Sequence, residues 1–175
     1  MPLSQNDLLL NSLSYYKSLN ERVELNKTKY FKKKSAFLCH SHKDEALVKG
    51  LIVCLKDNGI DLYVDWLDQT LPNSPNVFTA QKIQRRILEC DLFLFLATQN
   101  SMNSRWCPWE IGYADASVRD VLIIPTSTTN ETYGNEYLEL YESIDLKYLE
   151  NKYNLTVYNP NSNYEILLIE KIKQI

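Results

Sequence analysis

Leu92-Phe93-Leu94-Phe95-Leu96-Ala97 is an unbroken apolar run bounded by Asp91 and Thr98. It is short for a helix and has no apolar–polar alternation, so it reads as a strand covered on both faces. Strands of that kind belong to parallel sheets with helices above and below. Ser35–His40, Ile60–Val64 and Val121–Pro125 are further runs of the same character. Segments of helical spacing separate them. Leu47, Val48, Leu51, Ile52 and Leu55 make one apolar face closed by Asn58-Gly59, and Ala80, Ile83 and Ile87 recur within Val77–Cys90. A third helix is predicted from the Asn103 segment to about Val118. Tyr137–Tyr148 is predicted as helix, Thr156-Val157-Tyr158 as a short last strand, and Tyr164–Lys173 as a closing helix. Alternating strands and helices imply βαβ units. The expected fold class is α/β: a flavodoxin-like, doubly wound parallel sheet of about five strands.

Residues 1–34 read as an N-terminal helical arm and basic hinge, and residues 35–175 as the main domain. Ser4 with Asp7 resembles a capping signal, and Leu9, Leu13, Tyr16 and Leu19 recur at helical spacing up to about Leu25. The arm could cover a face of the domain or meet a partner. Lys27, Lys29, Lys32, Lys33 and Lys34 cluster ahead of the first strand and are read as a solvated hinge rather than a nucleic-acid or anionic-membrane contact. The net charge of −3 gives no basic field for nucleic acid. The four cysteines, Cys39, Cys54, Cys90 and Cys107, form no C-x-x-C pair, so no zinc site is expected and reduced, buried thiols are. No secretory leader and no membrane-spanning run is apparent. A soluble protein of the reducing cytoplasm, without membrane attachment, is the expectation.

In an open α/β sheet, ligands bind beyond the carboxyl ends of the strands. Three loops converge there: His40–Asp44, Asp65–Asn76 and Thr98–Glu110. No phosphate loop, dinucleotide fingerprint or nucleophile elbow occurs in a chain with only 4 Gly. In the third loop Asn103 or Ser104 can cap a helix whose first turn holds Pro108. Trp106 and Glu110 then lie on one helical face. Glu110 could simply complement the helix dipole above a packed Trp106. Alternatively it is chemical. Aromatic walls can stack a purine or pyridinium ring, and a carboxylate can stabilise or trap an oxocarbenium-like sugar carbon. That combination points to glycosidic-bond chemistry on a nucleotide. His40 and His42 share one loop but no metal is expected of them, and Ser41 beside them makes an improbable triad. Trp109 is expected in the core, and Tyr113 and Asp115 at the surface or a subunit contact. Asp44 reads as a helix cap and Asp65 as a turn residue.

Phe37-Leu38-Cys39-His40-Ser41-His42-Lys43-Asp44 resembles the first signature box of Toll/interleukin-1 receptor (TIR) domains. Tyr63-Val64-Asp65-Trp66 and the long loop after it resemble their second strand and BB loop. Trp106-Cys107-Pro108-Trp109-Glu110 is similar to the W-x-x-x-E pattern of TIR domains that cleave NAD. The likeness runs from about Ser35 to Ile175 and is greatest to bacterial TIR proteins of Thoeris anti-phage systems. It implies an NAD+ glycohydrolase or ADP-ribosyl cyclase in which Glu110 is the catalytic glutamate. Trp106, His40, Ser41, His42, Asp65 and Trp66 would line the substrate site. NAD+ would be the substrate, with no cofactor and no metal. Self-association through the loop Asp65–Asn76 and a separate effector protein activated by a cyclic ADP-ribose isomer are also implied. A non-catalytic TIR scaffold is the alternative, though scaffolds of the family commonly lack that glutamate. A nucleoside-processing transferase of similar sheet architecture is a third reading, against which the first signature box argues.

Overall fold

The computed structural model describes residues 1–15, 34–56, 58–68, 76–117, 120–149 and 151–175. In chain order, β1 (Leu3–Ser4) and α1 (Gln5–Ser12) precede β2 (Lys34–Cys39), α2 (Glu45–Lys56) and β3 (Ile60–Tyr63). Next come α3 (Val77–Glu89), β4 (Leu92–Ala97), the short α4 (Gln99–Met102) and α5 (Cys107–Ser117). β5 (Val121–Ser127), β6 (Thr132–Tyr133), β7 (Glu142–Leu149), β8 (Lys152–Asn159), β9 (Tyr164–Leu167) and α6 (Leu168–Gln174) complete the order. Among the described residues, no helix is long and apolar enough to cross a membrane.

β3, β2, β4, β5 and β7 lie side by side, and every neighbouring pair is parallel. This is the flavodoxin-like order that the βαβ alternation implies. Strand period divides the apolar runs between two layers. Leu92, Leu94 and Leu96 of β4 pack with Val48, Leu51 and Leu55 of α2. Phe93, Phe95 and Ala97 pack on the opposite side with Ile83 and Ile87 of α3 and Ile111 and Ala114 of α5. Phe37 and Phe93 stack with centroids 5.6 Å apart.

The arm enters this core. The Ser4 hydroxyl accepts the Asp7 N–H at 3.3 Å, capping α1. β1 pairs in parallel with the end of β5, and Leu3 and Leu8 are buried with the α2 layer. α1 and α2 approach closely at Gly50, where a Cβ would stand 1.8 Å from the Leu8 carbonyl oxygen. The expected run of the helix through Tyr16 and Leu19, and the lysines from Lys27 to Lys33, lie outside the described residues.

Three expectations at the C-terminal end are corrected. Tyr137–Tyr148 is not a helix: one 3-10 turn at Asn135–Tyr137 gives way to β7. Tyr137, Leu138 and Tyr141 pack on the α5 layer as a turn, while Glu142 and Ser143 pair with Leu122 and Ile123 along β5. The unpaired backbone of β5 offers ladder hydrogen bonds that local spacing cannot register. Tyr164–Lys173 likewise splits, with Tyr164–Leu167 paired to β8 before α6 begins. β8, expected as three residues, runs for 8 because it pairs antiparallel with β7 along its length.

Candidate active site

The loops after β2, β3 and β4 meet at the carboxyl end of the sheet. After β2, the Ser41 hydroxyl accepts the Lys43 N–H at 3.3 Å and starts a 3-10 turn at His42–Asp44. Ser41 thus uses its side chain within its own loop. The buried Asp44 reaches across to α4, accepting from Thr98 Oγ1 at 2.5 Å and Asn100 Nδ2 at 2.6 Å. Thr98 and Ser101 form a capping box that starts α4.

His40, His42, Asp65 and Trp66, all singled out from sequence, come together. His40 Nδ1 lies 2.9 Å from the Leu38 carbonyl oxygen, which can only accept, so Nδ1 carries the proton. His40 Nε2 is buried with no hydrogen-bond partner among the described residues, and stands 3.5 Å from Asp65 Oδ1. His42 Nε2 donates to Asp65 Oδ2 at 2.7 Å. Asp65 Oδ1 accepts its neighbour's Trp66 N–H at 2.7 Å, the turn role expected of it. The Trp66 ring meets His40 edge-on, with centroids 4.8 Å apart. Burial would raise the Asp65 carboxyl, but the His42 hydrogen bond and the two imidazoles hold it below its ordinary value. The bond to Asp65 raises His42 against the opposing effect of burial. Burial lowers His40, with the Asp65 charge working the other way.

Glu110 faces this group from α5. Ser104 Oγ accepts the Trp106 and Cys107 N–H groups at 3.2 and 3.3 Å and sets the start of that helix. Asn103 instead donates back to the Gln99 carbonyl at 2.8 Å. The Glu110 N–H bonds the Trp106 carbonyl at 2.9 Å, which closes the first turn. Glu110 is only 7% exposed. Burial first, and then the Asp65 charge, push its carboxyl up to about 7, while the Cys39 thiol and the His42 charge oppose the rise. A carboxyl so placed populates both protonation states near neutrality. The Cys39 thiol interacts with its carboxyl, and Cys107 Sγ donates to the His40 carbonyl oxygen at 3.6 Å.

Trp106 is half-buried and meets Trp109 edge-on at 5.3 Å. Trp109, expected in the core, is 37% exposed and stacks on Tyr113 at 6.2 Å. Cys107, Glu110, Ile111 and Ala114 occupy the inward stripe of α5, and position 109 falls beside it. Tyr113 is half-buried and Asp115 exposed.

Among the described residues, no group of three or more His, Cys, Asp and Glu could hold a metal ion. Two features escaped the sequence reading. The Asp44–Thr98–Asn100 network left a partial signal, since Thr98 and Ser101 have capping-box spacing. The anchoring of Asp68 to Tyr63 and Arg86, described below, left none, because Arg86 lies 18 residues away along the chain.

The family described as TIR domain matches residues 36–156. A protein of Bacillus cereus (strain MSX-D12), named "Probable 3' cyclic ADP-D-ribose synthase ThsB'", is 34% identical over 154 residues, 79% of this chain and 80% of that protein. A protein of Cytobacillus dafuensis, named "Putative cyclic ADP-D-ribose synthase TIR2", is 28% identical over 99 residues, 55% of this chain but 26% of that longer protein. With the sheet order, the converging loops and the W-x-x-x-E segment in place, the match over most of its length means that this chain belongs to the TIR domain family.

Proposed function

We propose that this protein cleaves the nicotinamide–ribose bond of NAD+ and forms a cyclic ADP-ribose-type product. The buried Glu110, poised near neutrality beside Trp106 and the Asp65–histidine group, carries the reading. Nicotinamide leaves as a neutral molecule with the electron pair of the broken C–N bond, so it needs no proton. Positive charge develops on the sugar carbon, and an ionised Glu110 in a water-poor site stabilises it. A hydroxyl of the same ADP-ribose, or water, then bonds to that carbon and gives up a proton, which Glu110 can accept. His40, Ser41, His42, Asp65, Trp66 and Trp106 are proposed to bind the dinucleotide. No cofactor is needed, since NAD+ is itself the substrate.

The names of the two relatives support cyclisation over simple hydrolysis. We further propose a cytoplasmic signal maker in anti-phage defence, with its product read by a separate effector protein. The test is incubation of the purified protein with NAD+, followed by mass separation. Nicotinamide plus a species of cyclic ADP-ribose mass is expected, and Glu110→Gln should abolish both. Turnover by Glu110→Gln at the wild-type rate would sink the assignment of Glu110. Linear ADP-ribose alone would keep the enzyme and remove the signal.

One observation favours a scaffold function alongside or instead of catalysis. Leu67, within the loop Asp65–Asn76, and Val77 and Phe78, just after it, are 52%, 71% and 70% exposed. Exposed apolar side chains in and next to one loop suit TIR–TIR contact. Residues 69–75 of that loop lie outside the described residues. Concentration-dependent mass with no turnover, before or after addition of infected-cell lysate, would favour the scaffold.

A further inference from the structure

Asp68 ends the single 3-10 turn that begins at Asp65. Its Oδ2 accepts three hydrogen bonds, from Tyr63 Oη at 2.8 Å and from Arg86 Nε and Nη2 at 3.2 Å each. The side chain of Asp68 is 8% exposed. Both of its partners are themselves fixed. The Tyr63 ring stacks on Phe37 at 5.5 Å, within the core layer that contains Phe93. The Arg86 guanidinium lies over the Tyr63 ring at 5.3 Å, and its Nη1 bonds Glu89 at 2.9 Å. Asp68 is therefore tied to β3 and α3 at once.

The turn carries this anchorage to the candidate site. The Asp68 N–H bonds the Asp65 carbonyl at 2.9 Å, and the Leu67 N–H bonds the Val64 carbonyl at 3.1 Å. Val64 is buried on the sheet side of Asp65. The backbone of Asp65 is thus held on both sides, and its carboxylate is left to meet His42. The far end of the loop is fixed on the same helix, since Asn76 caps α3 through Thr79. Three donors on one nearly buried carboxylate oxygen are more than a surface turn requires, because a 3-10 turn closes on its own backbone bonds.

We propose that Tyr63, Asp68 and Arg86 form a positioning clamp that sets the place of the Asp65 carboxylate, and through it His42, for the reaction. The clamp acts through Asp65 and not on the substrate itself. The proposal rests on the NAD+-cleaving function proposed above, and it gives a role to Tyr63, Asp68 and Arg86, to which the motif likeness gives none.

Asp68→Asn keeps the shape and removes the charge that Arg86 pairs with. Two quantities are read on the full-length protein: kcat and KM for NAD+, and the titration of the His42 imidazole by NMR, identified by its loss in His42→Gln. KM is expected to rise about fivefold or more, with a smaller fall in kcat. The His42 midpoint should move down toward the ordinary value of 6.5 as Asp65 drifts from it. A purely structural carboxylate would leave that midpoint alone. Tyr63→Phe, which deletes one hydroxyl on an intact ring, should shift both quantities in the same direction by less. The clamp is overturned if the folded Asp68→Asn protein, or Tyr63→Phe should the former not fold, keeps the wild-type KM and His42 midpoint. If the wild-type protein turns over no NAD+, the functional reading fails, and the His42 titration still decides the clamp.

Discussion

His42 Nε2 stands 2.7 Å from Asp65 Oδ2, so the loop after β2 and the turn after β3 are joined by one charge-assisted hydrogen bond. The bond raises His42 above 6.5 and helps to hold Asp65 below 3.8. A raised histidine contributes its stability below 6.5 and loses it as pH climbs through the folded value. A depressed carboxylate contributes above 3.8 and loses it as pH falls. The paired charges therefore act fully between those limits.

His42→Gln should accordingly cost stability at pH 5.5 and much less at pH 8.5. The His42 side chain is 74% exposed, which limits the loss to about 1 kcal/mol or less. Urea unfolding at the two pH values measures it. An equal loss at both would mean that charge on His42 contributes nothing.

If ionised Glu110 stabilises the charge that develops on the sugar, kcat/KM for NAD+ should rise with pH and level off above about 7. The group that desolvation pushes up must lose its proton before it can act. A profile already flat at pH 5.5 would contradict this role.

The same shift predicts a stability effect of opposite convenience. Glu110 goes from an ordinary 4.5 to about 7 on folding, so its proton is held more tightly in the native state. Its favourable contribution is complete below 4.5 and lost as pH rises through 7. Glu110→Gln escapes that loss. It should be more stable than the wild-type protein at pH 8, by on the order of 3 kcal/mol, with the gap shrinking toward pH 4.5. Denaturant titration across this range checks the sign.

Gly50→Ala tests how the arm is attached. The added Cβ would stand 1.8 Å from the Leu8 carbonyl oxygen, an obstacle of backbone and not of a flexible side chain. α1 must shift or α2 must distort, at a cost of about 2–4 kcal/mol. Thermal unfolding should register the loss. If α1 lifts away as a unit, protease cleavage near Leu8 should accelerate as well.

Much of the site is legible in the order of residues along the chain. Glu110, Trp106, His40, His42, Asp65 and Trp66 stand where strand-end loops must converge, and each takes part in the described hydrogen bonds, ring contacts and charges around Glu110 and Asp65. Ser41 is legible as a polar loop residue, but its turn-starting bond to Lys43 depends on backbone geometry. Trp109 misleads because aromatic size favours burial on average, whereas its angular position on α5 leaves it beside the inward stripe.

By itself the sequence determined what short-range chemistry governs. Leu-Phe-Leu-Phe-Leu-Ala divides one strand between two layers, Ser4 starts one helix and Asn103 or Ser104 another, and the βαβ alternation yields a parallel sheet. Only the tertiary structure decided that Glu142–Leu149 is strand, because its ladder partners on β5 and β8 lie elsewhere in the chain. It also decided that His42 meets Asp65 across 23 residues, and that Glu110 titrates near neutrality. Hydrogen-bond partners and the exclusion of water are supplied by distant segments, and no local pattern of residues encodes them.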